Sequence, residues 1–110
     1  MSNLDVTFSA LADPTRRAIL ARLADGELAL SKLAEPFDMS LTAVSKHVGV
    51  LSDAGLVEVN KRGRTRHCRL RAEQMKDAYD WLNGYRQFWH NQFDALARHL
   101  ARTGTDGGSK

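Results

Sequence analysis

The sequence predicts a mainly helical chain with one small β-hairpin past its middle. Three observations point there. Apolar residues recur at helical spacing before residue 55 and again after residue 72. Residues 57–71, VEVNKRGRTRHCRLR, break that spacing and read as two short strands, Val57–Lys61 and Arg66–Leu70, turned at Gly63. Capping chemistry marks two helix starts, Asp13-Pro14 and Ser40.

The elements follow in order. Leu4–Leu11 reads as a short helix with Leu4, Phe8 and Leu11 apolar. Asp13 as cap and Pro14 at the first helical position open a second helix, whose apolar face is Ile19, Leu20 and Leu23 and which Gly26 stops. Leu28–Ala34 reads as a short third helix, and Glu35-Pro36-Phe37-Asp38 leads into a turn. The organising stretch comes next, MSLTAVSKHVGVLSDAGLV at Met39–Val57. Val44, Val48 and Leu51 share one buried face at i, i+4, i+7, and Gly55 ends the helix. Its opposite face carries Thr42, Ala43, Lys46, Gly49 and Val50, flanked by Ser45 and His47. A helix kept in water is normally longer-chained and more charged. This face is small and polar with one lysine, which suits close approach to a DNA major groove. Short helix, brief connection and second helix make a helix-turn-helix, and the hairpin beyond it is a wing whose tip presents Lys61, Arg62, Arg64 and Arg66.

Ala72–Ala101 reads as one long helix running straight through Gly84, the fifth of five. Its apolar stripe holds Trp81, Tyr85, Phe88, Trp89 and Phe93, most of the chain's aromatics. At 1.5 Å per residue such a helix is roughly 45 Å long, too long for so small a domain to cover. The spare aromatic face is therefore expected to pack against a second copy. Leu4, Phe8, Tyr85, Trp89, Phe93 and Leu96 are the expected dimer seam. Residues 1–102 are expected to form one DNA-binding and dimerisation domain, and 103–110, TGTDGGSK, a flexible tail.

Charge agrees with this organisation. Residues 57–71 hold six Lys/Arg and one Glu, while the whole chain is only +3, so the remainder is mildly acidic. A concentrated basic patch is the electrostatic footprint of a nucleic-acid binder. No apolar run is long enough to span a membrane, the N-terminus lacks a secretory pattern, and the single cysteine has no internal disulfide partner. A reducing cytoplasm is the expected compartment.

Three separate stretches resemble the ArsR (arsenic-repressor-like) family of winged helix-turn-helix repressors. They are Leu11–Leu23 with ADPTRR at Ala12–Arg17, the stretch Met39–Val57 with S-x-H at Ser45–His47, V-L at Val50–Leu51 and AGLV at Ala54–Val57, and the C-terminal helix Asp80–Leu100, which looks like a subgroup of the family lacking the metal-binding cysteine pair. The resemblance covers roughly residues 5–100. It implies a homodimeric, sequence-specific repressor that blocks a promoter at an imperfect palindrome, with any signal acting through the dimer interface. On that reading Thr42, Ala43, Ser45 and Lys46 face the groove, and His47, Arg62, Arg64 and Arg66 hold phosphates. Arg16 and Arg17 are further candidates for phosphate or dimer contacts.

The family's metal-sensing pattern, E-L-C-x-C-D-L, falls on Glu27–Leu33, where Ala29 and Ser31 replace both cysteines and Lys32 replaces the acid. Ala and Lys offer no soft-metal ligand. The family's second site joins carboxylates and histidines of the C-terminal helix across the dimer. Here His90 and His99 are nine apart, about 180° around a helix, so only a site across the dimer is left to them, and the Asp-x-His spacing is absent. No metal or cofactor is implied. Cys68 beside His67 on a strand faces the opposite way, and Ser45 and His47 at i, i+2 do not meet, so neither pair forms a nucleophile and base. An enzyme is not expected. The rivals are a constitutive DNA binder without an effector, and a protein-interaction module using the aromatic C-terminal helix. RNA binding by the hairpin would lack the aromatic platform most RNA readers use.

Overall fold

The computed structural model describes residues 3–102, and the flexible tail expected at 103–110 lies outside them. The chain divides into two compact units, one ending at Ala78 and one beginning at Tyr79. In order the elements are α1 (Asn3–Leu11), α2 (Pro14–Leu23), β1 (Leu28–Ala29), α3 (Leu30–Ala34), α4 (Leu41–Asp53), β2 (Val57–Arg62), β3 (Thr65–Leu70), α5 (Glu73–Asn83) and α6 (Arg86–Arg102).

The helix starts are built as their residues dictate. Asp13 is extended, and its carboxylate accepts a bond of 3.0 Å from the Arg16 backbone N–H, with Pro14 at the first helical position. Ser40 is extended as well, and its Oγ accepts from the Ala43 N–H at 3.1 Å. At the other end of α4, Gly55 takes a φ of +79°. Its N–H donates to the Ser52 carbonyl at 3.0 Å while the Leu56 N–H donates to the Leu51 carbonyl at 2.9 Å. This is the paired closure that a left-handed residue makes possible. Leu51 and Leu56 are both buried, so the chain leaves the helix straight into the core.

That core holds Ile19, Leu23, Leu33, Val44, Val48, Leu51, Leu56, Val57 and Cys68. The apolar faces of α2 and α4 supply most of it, and the sheet closes one side. Strand order is β1-β3-β2, antiparallel throughout, with Leu28 opposite Cys68 and Cys68 opposite Val59. The wing turns in two residues. Gly63 has φ +64° and Arg64 does not share that sign, the pattern of a hairpin turn with glycine at the first central position.

Two sequence expectations need correction. Leu28–Ala29 is not the first turn of α3 but a two-residue strand paired with β3, and the helix begins only at Leu30. Leu28 and Ala29 close the open edge of the hairpin, an outcome that helical periodicity over so short a stretch does not reveal. The C-terminal helix is also not continuous. It ends at Asn83 and restarts at Arg86, giving six helices among the described residues rather than five. The Gly84 N–H is shared between the Asp80 and Trp81 carbonyls, and the Tyr85 N–H donates to Leu82 at 2.9 Å. Three-residue steps thus replace four-residue ones. A Cβ at position 84 would sit 3.3 Å from the Trp81 carbonyl oxygen, so the missing side chain leaves room for this tighter turn, and glycine's poor helix propensity prevails over the aromatic periodicity that runs through it.

Arg16 and Arg17 bind carbonyls at the end of α1. Arg16 Nε donates to Ala10 O at 2.7 Å and its Nη2 to Ser9 O at 3.2 Å, and Arg17 Nη1 donates to Leu11 O at 2.7 Å. Through Ala10 and Leu11 both therefore supply donors to carbonyls at a helix end, where intrahelical donors run out.

Candidate nucleic-acid interface

The first unit carries the outer face of α4 and the wing. On α4, Thr42 and Lys46 are exposed, and Ala43 and Ser45 are half-buried. The opposite residues Val44, Val48 and Leu51 are in the core, so the helix is anchored by one face and free on the other. Leu41, Thr42, Ser45 and Lys46 border an open hollow of about 390 Å³ whose other walls are Leu30 of α3 and Arg66 of β3. Helix and wing thus form one continuous surface, joined through Arg66.

His47 sits differently. Its Nδ1 lies 3.4 Å from Arg16 Nη1 and 3.9 Å from Asp13 Oδ2, so the imidazole is turned towards the start of α2. Where Nδ1 accepts from the arginine, the ring proton sits on Nε2. The Arg16 backbone N–H holds the Asp13 carboxyl below its ordinary range, and the Arg16 charge adds to that.

The wing's cations are not equivalent. Arg62 Nη1 lies 2.9 Å from Glu27 Oε2, and its Nη2 donates to Oε1 at 3.2 Å. His67 Nδ1 approaches the same carboxylate at 3.6 Å. Arg69 pairs with Glu58 across the strands, a hydrogen bond that lowers the Glu58 pKa. Arg71 lies 3.7 Å from Glu73. Lys61, Arg64 and Arg66 are exposed and have no acidic partner among the described residues. The basic run of the sequence therefore divides into three neutralised cations and three available ones. Arg62, one of the four expected at the tip, is held by Glu27. In the sequence Glu27 stands out only as part of the metal pattern, and nothing local signals its pairing 35 residues away.

Cys68 is fully buried on the central strand, and burial pushes its thiol pKa up. Such a thiol is protonated and unreactive at neutral pH.

The second unit is amphipathic and open. Tyr79, Trp81, Leu82, Tyr85, Phe88, Phe93, Leu96 and Leu100 are all exposed in the single chain. The rings of Trp81 and Tyr85 meet at a tilt of 59°, with centroids 5.1 Å apart, across the break between α5 and α6. Of the other expected seam residues, Leu4 and Phe8 on α1 are half-buried, and the Trp89 side chain lies outside the described residues.

A helix-turn-helix whose second helix is anchored on one side and bare on the other, followed by a basic two-stranded hairpin, defines a winged helix-turn-helix DNA-binding protein. A family model described as a helix-turn-helix domain matches residues 11–60. The chain is 32 % identical over 104 residues to the arsenical resistance operon repressor of Escherichia coli, covering 94 % of this chain and 89 % of that protein. It is 31 % identical over 75 residues to the transcriptional repressor SdpR of Bacillus subtilis, covering 68 % and 83 %. A crystal structure of an ArsR family transcriptional regulator superposes with a TM-score of 0.73 at 42 % identity, covering 80 % of this chain and 91 % of that one. The chain belongs to the ArsR family of winged helix-turn-helix transcriptional regulators, as the three motif stretches indicated.

Proposed function

We propose that the protein is a cytoplasmic homodimeric repressor that binds an imperfect palindrome in double-stranded DNA. The observation that carries this reading is the continuous surface formed by the bare face of α4 and Arg66 of the wing. The first half of α4 enters the major groove, with Thr42, Ala43, Ser45 and Lys46 towards the bases. Arg64 and Arg66 meet phosphates, His47 contributes through Nε2, and Arg62 joins them only when Glu27 releases it. Two copies joined through the aromatic faces of α5 and α6, together with α1, would hold their α4 helices one DNA turn apart, about 34–36 Å. Exposed aromatics on both helices support such a seam. Ala29 and Ser31 support loss of metal sensing at the start of α3.

The test is binding to an operator, selected from random duplexes, at several salt concentrations. Arg64→Ala should weaken operator and random duplex alike and reduce the salt slope by about one for each phosphate left without its cation. Lys46→Ala should cost more on the operator than on random duplex. An unchanged slope for Arg64→Ala would remove the wing from the interface.

A further inference from the structure

An apolar side chain stands in the first turn of α4, where a groove-reading helix makes its base contacts. Leu41 follows the Ser40 cap directly and is 51 % exposed. It shares its hollow with Leu30, which rests against the core, with the hydroxyl residues Thr42 and Ser45, and with two cations, Lys46 and Arg66. The hollow therefore has an apolar floor, a hydroxyl rim and a positive border. A phosphate would find the cations there but would lose its water against two leucines. An apolar protein segment would find a floor only two side chains wide, bordered by like charges. One feature of a DNA major groove combines the required chemistries. Thymine places an apolar C5-methyl next to the O4 acceptor, while cytosine at the same edge has no methyl and turns a donor outward.

We propose that Leu41 is a specificity-determining residue that selects thymine in each half-site by covering its C5-methyl, with a neighbouring hydroxyl or Lys46 donating to O4. This rests on the reading of α4 as the groove-entering helix. Leu41 contributes little to the fold, because Val44, Val48 and Leu51 anchor the helix.

Replacing thymine by uracil in the selected operator, one position at a time, removes a methyl and keeps every hydrogen-bonding group. At one position per half-site the change should weaken binding of the full chain about fourfold, the factor expected for one buried methyl. Leu41→Ala should bind thymine and uracil operators equally, and Leu41→Met should retain the preference. The proposal is overturned if Leu41→Ala discriminates as well as wild type, or if no position distinguishes thymine from uracil. A protein that selects no sequence at all overturns the groove reading and this inference with it. A protein that selects an operator insensitive to the methyl overturns the inference alone.

Discussion

Glu27 grips Arg62 through both carboxylate oxygens, joining the approach to β1 to the end of β2. The pair is partly exposed, so its contribution to stability is small, at most about 1 kcal/mol. Its effect on the wing is larger, because it removes one cation from the surface offered to DNA. Glu27→Gln should leave the melting temperature nearly unchanged. It should tighten binding to all duplexes at low salt and steepen the salt slope by about 0.9 for each Arg62 that reaches a phosphate. Equal slopes for variant and wild type would mean that Arg62 stays away from DNA even when free.

Gly55 closes α4 at φ +79°, and a Cβ there would lie 2.9 Å from Gln74 Cγ. Gln74 can swing aside, but the backbone cannot. Gly55→Ala should cost about 1–2 kcal/mol, the penalty of a left-handed alanine. Gly55→Asn should cost less, because asparagine tolerates that region. Urea unfolding of the three proteins gives the order, and an Ala variant as stable as wild type would contradict the left-handed closure of α4.

Asp13 caps α2 as a carboxylate whose pKa lies below the ordinary value near 3.9. A depressed folded value means that the ionised form favours folding. The contribution is complete above the ordinary carboxylate range and is lost as pH falls through the lowered value. Asp13→Asn keeps the capping acceptor but not the charge. Its melting temperature should fall below that of wild type at neutral pH, and the difference should close in acid. A gap that stays constant across pH would place the effect outside the charge.

Phe93 and Leu96 lie exposed on α6, and Tyr85 stands at the break before it. If this face is the seam, Phe93→Ala combined with Leu96→Ala should shift the protein towards monomer in sedimentation at micromolar concentration. Operator affinity should fall although every DNA-facing side chain is unchanged. A double variant that remains dimeric would assign the seam elsewhere.

Local chemistry made much of this fold legible. Asp13-Pro14, Ser40, Gly55 and Gly63 act within a few residues of themselves, and each does what its residue type requires. The core face of α4 was equally readable, because Val44, Val48 and Leu51 repeat at one period. Long-range pairing was not. The strand at Leu28–Ala29 exists only because β3 lies beside it, and the retention of Arg62 depends on Glu27. Arg16 and His47 look like free phosphate ligands in sequence, yet the fold turns them towards each other and towards Asp13. The break at Gly84 set a continuous stripe against a residue of poor helix propensity, and periodicity alone favoured the wrong side.

The single cysteine gives the protein a built-in stopwatch. Cys68 has no exposed surface, and its thiol resists ionisation, so a thiol reagent can reach it only when the central strand pulls away from its neighbours. The rate of labelling therefore counts openings of the wing's sheet rather than surface reactivity. Because β3 also carries Arg66, a duplex that pins the wing should slow that clock, giving a label-based measure of wing engagement that needs no substitution.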